Sequence, residues 1–292
     1  MSLTSVKEYF TPNDNEEVLG LLKKYGDGAL IVAGGSFVHG LEARDLLSGI
    51  EALIDIQDLG LDQVKSDSAG LSIGAMVTFA QLQKINDIQD SAAFGAVRDA
   101  LKYPPMQIRN VATVGGNIAS ACPYFDLPTA LIALDAIVTA QGPGGSREIE
   151  LKEFFASLFE NTLEDTEFVT GIVVPPLPAR SASAFIKFET NANDLAIVNV
   201  AVRVTVDESG SCREARVVIG GGVGETPVRA PASESLLQSE TLSDELLCKA
   251  GEAVLSDLQP MSDHRASAEY RSALAKTLTE RALQQAVARI SP

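Results

Sequence analysis

Three prolines in four positions, Pro175-Pro176-Leu177-Pro178, constrain this chain more than any other feature. Each proline lacks an amide donor and fixes its own φ, so neither a helix interior nor a central strand can pass through them. The 292 residues are therefore expected to divide there, into a first domain over 1–176 and a second over 177–292. A hydrophobic content of 46% gives both parts enough apolar side chains for a core.

The first part opens as helix then strand. Thr11-Pro12-Asn13-Asp14 is a start signal, Val18, Leu21, Leu22 and Tyr25 share one face, and Gly26 is a stop. The apolar run 29–32 leads directly into Ala33-Gly34-Gly35-Ser36, and 52–56 supplies a second short run, which predicts a small α/β layer ending near residue 57. A strand at 71–75 precedes Thr78-Phe79-Ala80-Gln81, a capping box. Another helix, over about 92–103, must stop at Pro104-Pro105, and the following stretch 107–119 shows neither helical nor strand periodicity. Further strands are expected at 136–140 and 167–174. Beyond the prolines, strands at about 183–189, 195–207 and 212–220, with a turn at 207–211, predict an antiparallel meander of three strands. Two helices are expected to close the chain, the last with Leu274, Leu278, Ala282, Ala286 and Ile290 as a packing stripe.

A net charge of −16 leaves no basic surface for a phosphate backbone or an anionic membrane, so nucleic-acid binding is not expected. Cys122, Cys212 and Cys248 lie too far apart for a disulfide framework or a paired metal site. The segment MSLTSVKEYF lacks a basic n-region and an apolar h-region, and no apolar run would span a bilayer; a cytoplasmic chain without membrane insertion is expected. His39 and His264, far apart, come with neither a nucleophile elbow nor a zinc helix.

Two glycine pairs, Gly34-Gly35 and Gly115-Gly116, are either turns or places where the backbone approaches an anionic ligand closely. The cluster Gly220-Gly221-Gly222-Val223-Gly224 is not a dinucleotide fingerprint, because an extended segment follows it instead of a helix. Lys187, on an otherwise apolar strand, is either a solvated lysine on an open sheet face or one aimed at a cofactor between the domains.

Together these residues resemble the flavin-binding medium subunit of the molybdenum hydroxylases, the family that includes xanthine dehydrogenase and the aerobic carbon monoxide dehydrogenases. The resemblance spans essentially the whole chain. Its most specific part is the segment Gln107-Ile-Arg-Asn-Val-Ala-Thr113-Val-Gly-Gly-Asn117-Ile-Ala119, followed by Asp126-Leu-Pro. Ala33-Gly-Gly-Ser36-Phe37 matches the family's first loop, and Ser262-Asp-His-Arg-Ala-Ser267 with Tyr270-Arg271 is a supporting match. The resemblance implies that Val32, Ala33, Gly34, Gly35, Ser36 and Phe37, with Thr113, Gly115, Gly116 and Asn117, wrap the pyrophosphate and ribityl chain of FAD, the four glycine amides being the main donors. It places Ala119 in the same loop, Ser120 and Asp126 toward the ribityl and adenosine portion, and Lys187 near the isoalloxazine ring, whose electronics it would tune. No residue of this chain acts as a catalytic acid, base or metal ligand in that reading. Phe37 departs from the family's usual polar residue, and Thr190-Asn191 stands where an arginine pair is common.

The implied fold is α+β: a two-lobed FAD-binding domain, with lobes of about 1–57 and 58–176, then a C-terminal domain with a three-stranded antiparallel sheet and helices. The implied activity is that of an oxidoreductase subunit. Its partners are an iron–sulfur small subunit with [2Fe–2S] clusters and a molybdopterin large subunit; its FAD passes electrons to NAD, a quinone, oxygen or a protein carrier. A stand-alone flavin oxidoreductase of related fold and a structural subunit that has lost flavin are the competing readings. Retention of Thr113-Val-Gly-Gly-Asn117 speaks against loss.

Overall fold

The computed structural model describes residues 6–44, 47–192 and 194–290. Met1–Ser5 of the amino-terminal segment, and Asn193 beside Asp194, lie outside them. Glu8–Phe10 (β1), Ala29–Val32 (β2) and Ala52–Asp55 (β3) form a parallel sheet in the order β1-β3-β2, flanked by helix Asn15–Tyr25 (α1). Helix α1 starts where expected: the Asp14 carboxylate accepts the amide of Glu17, and Gly26 with φ +48 ends it. Helix Ser36–Glu42 (α2) begins directly after the first glycine pair.

A second, antiparallel sheet joins Val64–Asp67 (β4), Gly70–Gly74 (β5), Ile137–Gly142 (β6), Gly145–Glu150 (β7) and, after the short ribbon Phe155–Ser157 (β8) and Glu160–Asn161 (β9), Phe168–Val174 (β10), in the order β4-β5-β10-β6-β7. Between β5 and β6 run the helices Phe79–Leu82 (α3), Asn86–Asp90 (α4), Gly95–Ala100 (α5), Met106–Val111 (α6), Val114–Ala119 (α7) and Asp126–Ala133 (α8). The capping box at Thr78 is present, with Thr78 and Gln81 exchanging backbone and side-chain bonds. The stretch 107–119 is not the irregular loop that its sequence suggests. It forms most of α6 and all of α7, six residues each, too short for a periodic stripe to register.

Past helix Leu151–Phe154 (α9) and the prolines come Ser181–Phe188 (β11), Val198–Val206 (β12) and Cys212–Gly220 (β13) as the expected antiparallel meander. A two-residue strand, Val228–Arg229 (β14), extends it to four. Three helices follow where two were expected: Pro231–Leu237 (α10), Asp244–Ala253 (α11) and Ala268–Ala288 (α12). The first of them opens on a proline, which supplies the preset φ of an initial turn and reads from sequence as a breaker.

One face of this sheet packs on α10, α11 and α12, through Val200, Val202, Val204, Val217 and Ile219 against Leu237, Leu247, Leu278 and Ala282. The opposite face packs on the first part of the chain. Phe185, Ala201 and Val218 share one core with Val97 of α5, Leu131 of α8 and Ile73, Val138 and Ile172 of the second sheet. Strand β12 is therefore buried along both faces, which places Asn199, Arg203 and Thr205 inside. Each needs a partner there, because a buried polar group without one costs roughly 1–3 kcal/mol. No helix among the described residues is long and apolar enough to cross a membrane.

Candidate functional site

The two glycine pairs meet. Strand β2 ends at Val32, in register with Asp55 of β3, and Gly34 then lies on the carbonyl of Val111 at the end of α6. A Cβ on Gly34 would stand 1.7 Å from that oxygen, so only glycine permits the contact. Gly35 has φ +69 and its Cβ position faces open space. That left-handed turn swings the chain into α2, whose first two residues are Ser36 and Phe37.

The second pair divides its work in the same way. A Cβ on Gly115 would fall 2.5 Å from the Cβ of Ala75, and the Gly115 amide donates to the Ala75 carbonyl at 2.9 Å. Gly116 turns instead toward the first loop, its Cβ position 3.8 Å from the Cβ of Ala33 and 2.9 Å from the Thr113 hydroxyl. Thr113 caps α7, accepting the Gly116 amide at 3.2 Å. Asn117 follows with its side-chain Oδ1 buried and unpartnered among the described residues. Ser120 donates its hydroxyl to the Asn117 carbonyl at 2.8 Å, and the Ala119 carbonyl accepts from Asn161 at 2.8 Å.

Phe37, the departure from the resemblance, makes aromatic contacts. Its ring meets Phe125 edge-on at 5.8 Å and lies nearly parallel to Phe159 at 6.5 Å. Through Phe125 the glycine loops adjoin Asp126, the first residue of α8.

Lys187 is not a solvated lysine on an open face, because its side chain is only 3% exposed. Its ammonium is 3.0 Å from a carboxylate oxygen of Asp126, 3.0 Å from one of Glu189 and 2.6 Å from the Asp194 carbonyl. The ammonium also lies 5.2 Å from the Tyr103 ring, whose hydroxyl accepts the Lys187 amide. Asn199 donates to the other oxygen of Asp126 and to the Phe125 carbonyl, both at 3.1 Å. Burial pushes the Asp126 carboxyl up to about 6, against the pull of Lys187 and Asn199. Burial likewise raises the Tyr103 phenol, and it lifts the Cys122 thiol to about 11, so that thiol is no nucleophile near neutrality.

Asn199, Glu189 and Tyr103 were not singled out from the sequence. A signal for Asn199 existed: it is a lone amide in a strand that reads Val-Asn-Val-Ala-Val, where both faces must be covered. Two clefts, of about 290 Å³ beside Pro175-Pro176-Leu177 and about 250 Å³ beside Asp135 and Arg216, lie away from the glycine loops. The loop contacts and the buried acceptor define the candidate site better than those volumes do.

The paired glycine loops, beside a parallel and an antiparallel sheet, belong to a chain whose family and relatives place it in the oxidoreductase class, as a flavoprotein. Residues 4–177 match the family described as the FAD binding domain in molybdopterin dehydrogenase, and residues 183–286 match the CO dehydrogenase flavoprotein C-terminal domain. The chain belongs to this family, as the FAD-binding medium subunit of a molybdenum hydroxylase. It is 36% identical to the 6-hydroxypseudooxynicotine dehydrogenase complex subunit alpha of Paenarthrobacter nicotinovorans, over 98% of this chain and 96% of that one. Identity to the glyceraldehyde dehydrogenase medium chain of Sulfolobus acidocaldarius is 31%, over 95% and 97%. Among solved structures, a chain of carbon monoxide dehydrogenase from Hydrogenophaga pseudoflava superposes with a TM-score of 0.92 at 29% identity, over 98% of this chain and 99% of that one.

Proposed function

We propose that this chain is the flavin relay of a three-part complex. Its partners are a molybdopterin large subunit and an iron–sulfur small subunit with [2Fe–2S] clusters, and an external acceptor, whether NAD, a quinone, oxygen or a protein carrier, takes the electrons. The observation that carries the flavin part of this reading is the meeting of Gly34 with Val111, which sets two loops side by side, together with an Asn117 Oδ1 that is buried without a partner among the described residues. A buried acceptor in that state has room for a donor from outside the chain, a bound cofactor or an ordered water.

FAD bound there supplies exchange between two-electron and one-electron carriers. The chain's own part is to hold and to tune. Ala33, Gly34, Gly35 and Ser36 line one side of the cradle, and Gly116, Asn117 and Ser120 the other. Gly34 and Gly115 serve by letting backbone touch backbone. Of the four glycine amides implied as donors two are already committed, Gly115 to the Ala75 carbonyl and Gly116 to the Thr113 hydroxyl. Lys187, Asp126 and Glu189 set the local electrostatic potential. Without the Lys187 ammonium two carboxylates face one another, so Lys187→Ala is expected to lower the flavin midpoint potential. The same reading divides the chain at 175–178, with the FAD-binding domain at 1–176 and the C-terminal domain at 177–292.

The test is the visible spectrum of the purified chain before and after FAD is added, with mass analysis of what denaturation releases. Flavin bands, with FAD freed on denaturation, are expected. Colour that stays on the denatured chain would mean a covalent flavoenzyme, and no uptake by a folded chain would mean a structural subunit.

A further inference from the structure

The Asp194 carbonyl that accepts the Lys187 ammonium belongs to the segment 194–197, outside any helix or strand. The Asp194 amide on the Asn191 carbonyl and the Ile197 amide on the Phe188 carbonyl hold its ends, so something more must hold its middle. Arg265, distant in sequence, does so. Its guanidinium donates to the Leu195 carbonyl at 2.5 Å and to the Ala196 carbonyl at 3.3 Å, and it lies 3.5 Å from an Asp194 carboxylate oxygen. It also sits 5.5 Å from the Tyr124 ring, and the Tyr124 carbonyl accepts the Ala196 amide at 3.4 Å. A planar fork that reaches two successive carbonyls fixes a turn in a way a lysine cannot.

Arg265 is itself held. One oxygen of Asp263 accepts the Arg265 amide at 2.8 Å and the Ala266 amide at 3.0 Å, and both oxygens accept from Arg271 at 2.8 Å. Arg271 is fully buried and donates to the Gly221 carbonyl at 3.1 Å, while the Gly221 amide donates to the Pro123 carbonyl at 3.0 Å. Next to it, Gly222 has φ +78, and a Cβ there would fall 1.6 Å from the Arg271 guanidinium. This explains the glycine cluster that lacks a dinucleotide helix: it makes room for a buried arginine. The segments that precede Asp126, precede β12 and follow β13 are thus tied to one strap, residues 261–271.

We infer that Arg265 is a positioning residue for Lys187, and that the Asp263–Arg271 pair holds Arg265 in place. Loss of the Arg265 fork frees the Asp194 carbonyl, and Lys187 then loses one of its three acceptors. The consequence for the cofactor rests on the flavin reading above; the consequence for Lys187 does not.

The experiment compares the whole wild-type chain with Arg265→Gln, free of FAD and then incubated with it. Acylation of Lys187 by an amine-directed reagent is followed by peptide mass spectrometry, with alkylation of the buried Cys212 thiol as the control for general loosening. In Arg265→Gln, Lys187 is expected to react on the order of tenfold faster, with Cys212 as protected as before. Equal protection of Lys187 in a folded variant would overturn the inference, and so would a parallel rise at Cys212. Should Arg265→Gln not fold, Arg265→Lys, which keeps the cation but loses the fork, is expected to unmask Lys187 in the same selective way. With FAD, the variant is expected to keep its stoichiometry and shift its midpoint potential. An unchanged potential despite an exposed Lys187 would overturn the cofactor half, whereas failure of the wild type to take up FAD would remove the flavin reading and leave the labelling result standing.

Discussion

Gly34 rests on the carbonyl oxygen of Val111, closer than any side chain would allow. That contact joins a loop after a parallel strand to the end of a helix far along the chain. Gly34→Ala must push the two apart, at a cost of about 3 kcal/mol as an overpacked site, and is expected to lose FAD. Gly35→Ala meets open space and bears only the left-handed backbone penalty, about 1 kcal/mol. Urea unfolding and FAD stoichiometry of the two variants check this. A Gly34→Ala chain as stable and as yellow as wild type would show that the loop contact is dispensable.

Gly116 carries a narrower constraint. A valine there would crowd the Thr113 cap and the Ala33 side of the cradle, with no strand or sheet contact in its way. Gly116→Val is therefore expected to fold and to fail in FAD retention; full flavin occupancy would count against this placement.

Thr113 holds α7 from its amino end. Thr113→Ala should lower stability by about 1 kcal/mol, and Thr113→Ser should restore most of it, because the cap needs only a hydroxyl oxygen. Thermal denaturation of both variants decides the matter. Equal losses would assign the effect to the methyl group instead.

Lys187 stands between Asp126 and Glu189. Taking the ammonium away strands two carboxylates in a buried place, so Lys187→Ala is expected to cost about 3 kcal/mol near neutral pH. The loss should shrink near pH 5, where Asp126 takes up a proton. A loss that is the same at both values would argue that packing, not charge, is what the lysine supplies.

Asp126 gives the chain a pH dependence of definite sign. Its carboxyl is pushed up to about 6 in the folded chain, chiefly by burial. In the unfolded chain it returns to roughly 3.9. The group's contribution to stability is therefore complete below about pH 4 and falls as the pH rises from there through about 6, by on the order of 3 kcal/mol. Asp126→Asn, neutral throughout, should gain on the wild type across that window in urea titrations. Parallel stability curves for the two would contradict the raised value.

Much of this architecture was legible in the sequence for local reasons. Strands β2, β3, β5, β10 and the meander β11-β12-β13 are short apolar runs bounded by turn residues, and the caps at Asp14 and Thr78 depend on residues within one turn. The stripe packs as read, with Leu278, Ala282 and Ala286 of α12 buried and Leu274, and Ile290 just past the helix end, against that core. Strands β1, β4 and β7 escaped notice because they lie at sheet edges or carry charged residues such as Lys65 and Arg147, and β14 is too short to leave a pattern.

By itself the sequence determined the division of the chain into glycine loops, strands and caps, since those follow from φ preferences and hydrogen bonds between near neighbours. It also determined the family, through the residues from Gln107 to Ala119. Only the tertiary structure decided that Gly34 and Gly115 serve backbone contact, that Gly116 faces the first loop and that Gly35 meets open space, because what a missing Cβ would strike lies on another segment. It alone decided that Lys187 is buried among Asp126, Glu189 and the Asp194 carbonyl, and that Arg265 and Arg271 reach back to that turn. A charge finds its partners through space, and no spacing along the chain records them.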